Sequence, residues 1–231
     1  MVDVREEIVL ACRGLAAHGC GSGIGGHVSV RNPAGDTYFI NAFDRTFGEM
    51  TPDDVLEVDR DGRVLSGGRY PSLGVDFHSG IYGLRPDVNA IVHTHGAWIT
   101  AMTAFQRPPR MWHNLCTFFY GDCVMSPDDS FEAIAPALGD KSTVLIPWHG
   151  AITVGSSLGR AAALHDTLEY AARLEVTLTP TGASPLPDDV VPGIRALVER
   201  ATYLDETWQL LRREGGRSLA TDGLVLTGAG V

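Results

Sequence analysis

No stretch of this sequence approaches the roughly 18–20 consecutive apolar residues of a membrane span, so a membrane protein is not expected. A basic surplus is missing as well. The net charge is -10 and the pI about 5.1, whereas a chain that grips a phosphate backbone carries a stripe of lysine and arginine, which excludes nucleic acid as a partner. Cysteine is scarce: Cys12, Cys20, Cys116 and Cys123 form no C-x-x-C pair, and 231 residues bury enough core to fold without disulfide staples. Free thiols in a reducing compartment are the simplest reading. The N-terminus, Met1-Val2-Asp3-Val4-Arg5-Glu6-Glu7, is acidic where a signal peptide needs a basic end and an apolar run, so a cytoplasmic protein is expected. Repeats and low-complexity tracts are absent, and only residues 179–187 read as a linker. One domain is expected over residues 1–231, ending in a helical extension from about 180.

What is there is a series of short, well-punctuated elements. Asp3 followed by Glu6 has the spacing of a capping box, and Ile8, Ala11, Leu15 and Ala16 recur at helical spacing up to a stop near His18-Gly19. Alternation predicts strands at His27–Arg31 and Thr37–Asn41 around an Asn-Pro-Ala-Gly-Asp turn, and at Val55–Asp59 and residues 63–65 around Asp61-Gly62. A helix is predicted over Val75–Leu84, broken by Arg85-Pro86-Asp87, then a buried strand over 88–94. A short helix from Ala97, a segment near Cys123, a helix over 130–138 and strands over Thr143–Ile146 and 151–154 follow. Two helices, over 157–178 and 188–213, close the chain. Strands in the middle with helices before, between and after predict an α/β fold, a three-layer α/β/α sandwich around a mostly antiparallel central sheet. The last helix carries Tyr203, Trp208, Leu210 and Leu211, a stripe that either seats on its own domain or packs across a subunit boundary.

Two glycine motifs point the wrong way. Gly21-Ser22-Gly23-Ile24-Gly25-Gly26 matches G-x-G-x-x-G, but it follows a helix and enters a strand, the reverse of a dinucleotide fingerprint. It reads as a loop whose amides face a substrate, or as a flexible turn. Gly155-Ser156-Ser157-Leu158-Gly159 matches a nucleophile elbow, yet the only histidine after Ser157 is His165, on the helix that Ser157 opens. Ser156 or Ser157 is read as a helix cap.

The histidines carry more. His93 and His95, in Val88-Asn89-Ala90-Ile91-Val92-His93-Thr94-His95-Gly96, leave the same face of a strand about 6–7 Å apart and can converge on one cation. His149, before Gly150, ends another apolar run. Two imidazoles buried unpaired at a strand end are costly, so the pattern favours a metal site over ordinary core histidines. Three neutral imidazoles suit Zn2+, with Mn2+, Fe2+ or Co2+ as alternatives, and leave a coordination position open.

Around these histidines the chain resembles the class II aldolase/adducin family, over residues 6–172. The matching stretches are Gly26-His27-Val28-Ser29-Val30-Arg31, Ile81-Tyr82-Gly83-Leu84-Arg85-Pro86-Asp87-Val88, Ile91-Val92-His93-Thr94-His95, and His149-Gly150 followed by Gly155 and a helix with Glu169. The resemblance implies an α/β/α fold, a metal held by His93, His95 and His149, and a homotetramer with sites near subunit interfaces. Members include sugar-phosphate aldolases, decarboxylases, an epimerase, a dehydratase and non-enzymatic adducin domains. Where the sugar-phosphate aldolases have Ser-Ser-Glu, this chain reads Ser72-Leu73-Gly74, so one serine and the glutamate are gone. The asparagine before the Val-Ser-Val-Arg strand is His27, and the phosphate loop reads Asn41-Ala42-Phe43-Asp44-Arg45. Small groups that a phosphate needs are missing.

The expected activity is a divalent-metal-dependent carbon–carbon lyase, decarboxylase or aldolase, on a non-phosphorylated and in one version aromatic hydroxy or oxo acid, through a metal-stabilised enolate. His113, aligned near a family tyrosine, and His27 are the candidate acid/base residues. Ser29, Ser72, Gly74 and Asn41 are candidate substrate contacts. Two other classes stay open, a non-catalytic adducin-like binding module and a metal-dependent oxygenase or dehydratase on the same scaffold.

Overall fold

The computed structural model describes residues 3–226 apart from Ser22 and Leu73. Those two positions, one in the glycine loop and one in the segment aligned with Ser-Ser-Glu, lie outside the described residues. The elements run α1 (Val4–Ala17), β1 (His27–Arg31), β2 (Thr37–Asn41), β3 (Val55–Asp59), β4 (Val64–Ser66), α2 (Val75–Leu84), β5 (Ala90–Thr94) and α3 (Ala97–Thr103). Then come β6 (Cys123–Met125), α4 (Phe131–Leu138), β7 (Thr143–Ile146), β8 (Gly150–Gly155), α5 (Leu158–Leu178), α6 (Val191–Arg200) and α7 (Tyr203–Thr221).

Eight strands form one sheet in the order β4-β3-β2-β1-β5-β8-β7-β6. Among the described residues only the β6–β7 pair is parallel, so the sheet is mostly antiparallel, as the sequence predicts. Side chains leave a strand to alternate faces. Val28, Ala90 and Val92 point to a layer built from α1, α7 and the start of α5, where Ile8, Leu15, Ala162 and Leu211 are buried. Ile40, Ile91 and Ile152 point to the other layer, against Phe77 and Ile81 of α2 and Ile134 and Leu138 of α4. The three-layer α/β/α sandwich follows from that division.

Local chemistry sets the ends of the elements. Asp3 caps α1 by accepting from the Arg5 backbone N–H at 2.9 Å, and Ser157 caps α5 by accepting from the Arg160 N–H at 3.2 Å, which leaves the G-x-S-x-G match a helix start. The single closing helix expected over 188–213 is two helices. Thr202, at φ 52° and ψ 31°, adopts the left-handed conformation between them and redirects the chain. Leu204, Leu211 and Leu219 of α7 are then buried within their own chain. A 3-10 turn over Asn114–Phe119 was not expected. No helix among the described residues is long and apolar enough to cross a membrane.

Candidate metal centre

Strand β5 delivers the site. Ala90 and Val92 face α1, Ile91 faces α2, and His93 follows Ile91 onto the α2 side. His95 lies just beyond the strand end. The third histidine reaches them through a tight turn in which the His149 N–H donates to the Ile146 carbonyl at 3.2 Å and Trp148 takes a left-handed φ of 52°. Gly150 makes the approach possible, since a Cβ there would lie 2.3 Å from the Thr94 carbonyl oxygen and 3.0 Å from His95 Cδ2.

The result is three ring nitrogens facing one point. His95 Nε2 lies 2.9 Å from His93 Nε2 and 2.8 Å from His149 Nε2, and the three ligand atoms all fall within 4.8 Å of one another. His93 Nδ1 lies 2.9 Å from the Ala151 carbonyl oxygen. A carbonyl only accepts, so Nδ1 carries the proton and Nε2 presents a lone pair, the arrangement that orients a metal-ligating histidine. Burial pushes the pKa of His93 well down, that of His95 down to about 4, and that of His149 down as well. Neutral imidazoles with converging lone pairs are the donor set that a divalent cation needs, and the residues fit one.

The surroundings hold these ligands in place. Thr100 donates to the His149 carbonyl at 3.0 Å. The buried Glu169 carboxylate accepts from the Trp98 and Ile99 backbone N–H groups, each at 3.0 Å, which anchors the first turn of α3 directly after His95. Burial raises the Glu169 pKa.

A cavity of about 310 Å³ opens onto the histidine trio. His27, Ser72 and Gly74 line it, as the sequence suggests. His27 pairs directly across the sheet with His93, and their ring centroids are 4.6 Å apart. Gly25 of the glycine loop lines it too. Ser29 and Asn41, proposed as substrate contacts, are fully buried and do not line it. Asn41 accepts from the Val28 N–H at 2.7 Å and donates to the Gly26 carbonyl at 3.1 Å, which braces β1. Ser29 is bonded to His78 and Tyr82. His113 also stands apart from this cavity. Its Nδ1 accepts from the Leu115 N–H at 3.2 Å, and its ring meets Tyr170 edge-on at 5.5 Å.

Phe43, Phe77, Phe131 and Asp129 complete the lining and were not singled out from the sequence. No arginine or lysine is among the described lining residues. A larger cleft, about 500 Å³, lies among His18, Asp166, Tyr170 and Arg173. Volume does not make it the better candidate, because its opposite charges satisfy each other, His18 pairing with Asp166 at 2.8 Å, and the ligand trio is elsewhere.

Residues 6–176 match the profile described as Class II Aldolase and Adducin N-terminal domain. The chain is 29% identical over 184 residues to the meiotically up-regulated gene 14 protein of Schizosaccharomyces pombe, covering 75% of this chain and 72% of that protein. It is 28% identical over 190 residues to decarboxylase NovR of Streptomyces niveus, covering 77% of this chain and 69% of that protein. Among solved structures, L-fuculose 1-phosphate aldolase from Glaciozyma antarctica PI12 superposes with a TM-score of 0.87 at 25% identity, over 96% of this chain and 92% of that one.

Proposed function

Because this chain belongs to the class II aldolase and adducin family, we propose that it is a divalent-metal-dependent carbon–carbon lyase whose substrate is a non-phosphorylated hydroxy or oxo acid with an aromatic body. The observation that carries this reading is the lining of the cavity beside the histidine trio. Phe43, Phe77 and Phe131 supply apolar wall, and the one carboxylate among the described lining residues, Asp129, repels a phosphate, with no guanidinium or ammonium among them to offset it.

His93, His95 and His149 would hold the cation. Zn2+ suits three neutral imidazoles best, with Mn2+, Fe2+ and Co2+ after it. When bound, it supplies a positive charge that stabilises the negative charge left on the substrate oxygen by carbon–carbon cleavage. The protein does the rest. The phenylalanine walls seat the apolar body and exclude water, and His93, locked through Ala151, keeps its lone pair turned to the site. His27 is the polar group best placed to handle a proton or an oxyanion in this chain's own cavity.

We favour decarboxylation over retro-aldol cleavage. Releasing carbon dioxide needs no base on a substrate hydroxyl, and at Gly74 there is no carboxylate to serve as one. The relative named as a decarboxylase, NovR, supports the same choice. A homotetramer is part of this proposal, with His113 acting, if at all, in a neighbouring copy's cavity. The test is carbon dioxide release from a panel of aryl 2-oxo and 2-hydroxy acids, run beside sugar phosphates with metal-loaded, metal-stripped and His93→Ala protein. We expect turnover of an aryl acid by loaded protein only, with at least a hundredfold loss in the other two, of the size seen when a metal's charge stabilisation is removed. Preferential cleavage of a sugar phosphate, or undiminished turnover after metal removal, refutes the reading.

A further inference from the structure

Behind the cavity, β1 and α2 interleave four polar side chains. His27 and Ser29, two apart on β1, face His78 and Tyr82, four apart on α2. His27 Nδ1 lies 3.2 Å from His78 Nε2, His78 Nδ1 lies 2.6 Å from Ser29 Oγ, and Ser29 Oγ lies 2.8 Å from the Tyr82 hydroxyl. Ser29 and His78 are fully buried, and His27 and Tyr82 nearly so. Leaving a donor at such depth without an acceptor is costly, so the protons in the chain can be counted by asking which arrangement satisfies every donor.

The count has one solution. Burial pushes the Tyr82 phenol up, so it keeps its proton, and its hydroxyl's one hydrogen-bond partner among the described residues is Ser29 Oγ. Tyr82 therefore donates to Ser29. The Ser29 hydroxyl donates in turn to His78 Nδ1, which places the His78 proton on Nε2, where it is donated to His27 Nδ1. Each imidazole accepts a hydrogen bond at Nδ1, so neither ring is doubly protonated and each carries a single proton. The remaining proton of His27 must sit on Nε2. Running the chain in the other direction would leave the Tyr82 O–H buried with nothing to donate to.

We propose that Tyr82, Ser29 and His78 are positioning residues that lock His27 as its Nε2–H tautomer, so that His27 meets the substrate as a neutral hydrogen-bond donor to the oxygen on which charge develops, and not as a base. The ring occupies the place a side chain at position 74 would take, since a Cβ on Gly74 would fall 1.9 Å from His27 Cε1. A donor thus stands beside the position at which the resemblance to the sugar-phosphate aldolases implies a carboxylate. A protonated Nε2 also cannot be a fourth metal ligand. The tautomer assignment stands on the hydrogen bonds alone; the role toward substrate rests on the lyase reading.

Long-range proton–nitrogen NMR of the zinc-loaded protein, labelled with 15N-histidine, tests the first part, with the His27 resonances identified by their loss in His27→Asn. We expect a protonated Nε2 and a lone-pair Nδ1 on His27. Tyr82→Phe removes the terminal donor and frees the chain to reverse, and Ser29→Ala cuts it, so the Nε2–H signature should weaken or invert in at least one. A lone-pair Nε2 in the wild type, which needs no variant to fold, overturns the proposal, as does an unchanged tautomer in both variants. Oxalate, a small chelating dianion, tests the second part by calorimetry. Its affinity should fall about tenfold in Tyr82→Phe at unchanged zinc content, the loss of one charge-assisted hydrogen bond. Unchanged oxalate affinity alongside a shifted tautomer overturns the donor role. A protein that cleaves no aryl acid, by loss of carbon dioxide or by retro-aldol cleavage, but shows the expected tautomer refutes the lyase reading and leaves the chain intact.

Discussion

Gly74 and His27 behave as one unit of the cavity wall. The His27 ring has little room to retreat from an added methyl at Gly74, because His78 holds its Nδ1 at 3.2 Å and the tilted His93 ring lies against it, centroids 4.6 Å apart. Gly74→Ala should therefore act as an overpacking change and cost about 1–3 kcal/mol. His27→Ala makes room for the methyl while losing its own packing. The double variant should then be more stable than the two single losses predict, by a coupling of about 1 kcal/mol or more, read from urea denaturation of the four proteins. Strict additivity would mean that the two positions do not share space. From sequence alone, Gly74 reads as a lost carboxylate and His27 as a separate substitution on a distant strand. Their meeting depends on how the segment before α2 folds over the end of β1, and no periodicity encodes that.

Elements were legible where the period and the punctuation agree. Strand alternation between turn residues marks β1, β2 and β3 at the observed bounds, a short apolar run marks β7, and the His-x-His end of β5 marks the candidate metal site because period two fixes the common face. The α6–α7 break was invisible because both halves are amphipathic and neither glycine nor proline stands at Thr202. The cavity walls were invisible too, since Phe43, Phe77 and Phe131 come from three separate segments and look like core residues one at a time. Helix α5 shows what holds such segments to the frame. Its buried Glu175 accepts from the Arg107 guanidinium at 2.6 Å, and from the Arg110 N–H and Trp112 Nε1 at 2.7 Å each, fixing the strand-like run that leads to His113. Burial alone would raise the Glu175 carboxyl, but these bonds outweigh it and bring the pKa from 4.5 down to about 2. A folded-state pKa below the unfolded one adds stability that is complete above pH 4.5 and is lost as pH falls toward 2. Glu175→Gln should lower stability near neutrality by about 2 kcal/mol, a figure reduced for the partly exposed arginines, and should flatten the acid limb of the stability profile. Equal losses for wild type and variant between pH 5 and about pH 3 would assign the acid limb to other carboxylates.

At the scale of the whole molecule the question is whether one chain completes its own site. Trp148 adjoins His149 and is 72% exposed, and Trp98, in the first turn of α3 just after His95, is 37% exposed. Large apolar surface beside two of the candidate ligands is costly to leave in water and is the kind of area that subunit contacts cover. His113 lies outside its own chain's cavity, so a direct part in the reaction would have to be played across such a contact. In the proposed homotetramer, a closed ring of identical subunits, each interface would join the trio of one copy to the His113 of the next. This makes a mixing experiment decisive. His93→Ala protein lacks the metal site and keeps His113, while His113→Ala protein has the reverse defect. Light scattering should first give a native mass of four 24.7 kDa chains. If the sites are shared, unfolding and refolding an equal mixture of the two inactive variants should restore about one quarter of wild-type turnover, because one interface in four pairs an intact trio with an intact His113. Recovery should vanish when the variants are mixed without subunit exchange. If His113→Ala protein alone keeps full turnover, His113 has no catalytic part and the site needs no group from a neighbouring copy's 3-10 turn. If the mixture stays inactive while His113→Ala is inactive by itself, His113 acts through the fold of its own chain, on the 3-10 turn that its Nδ1 caps.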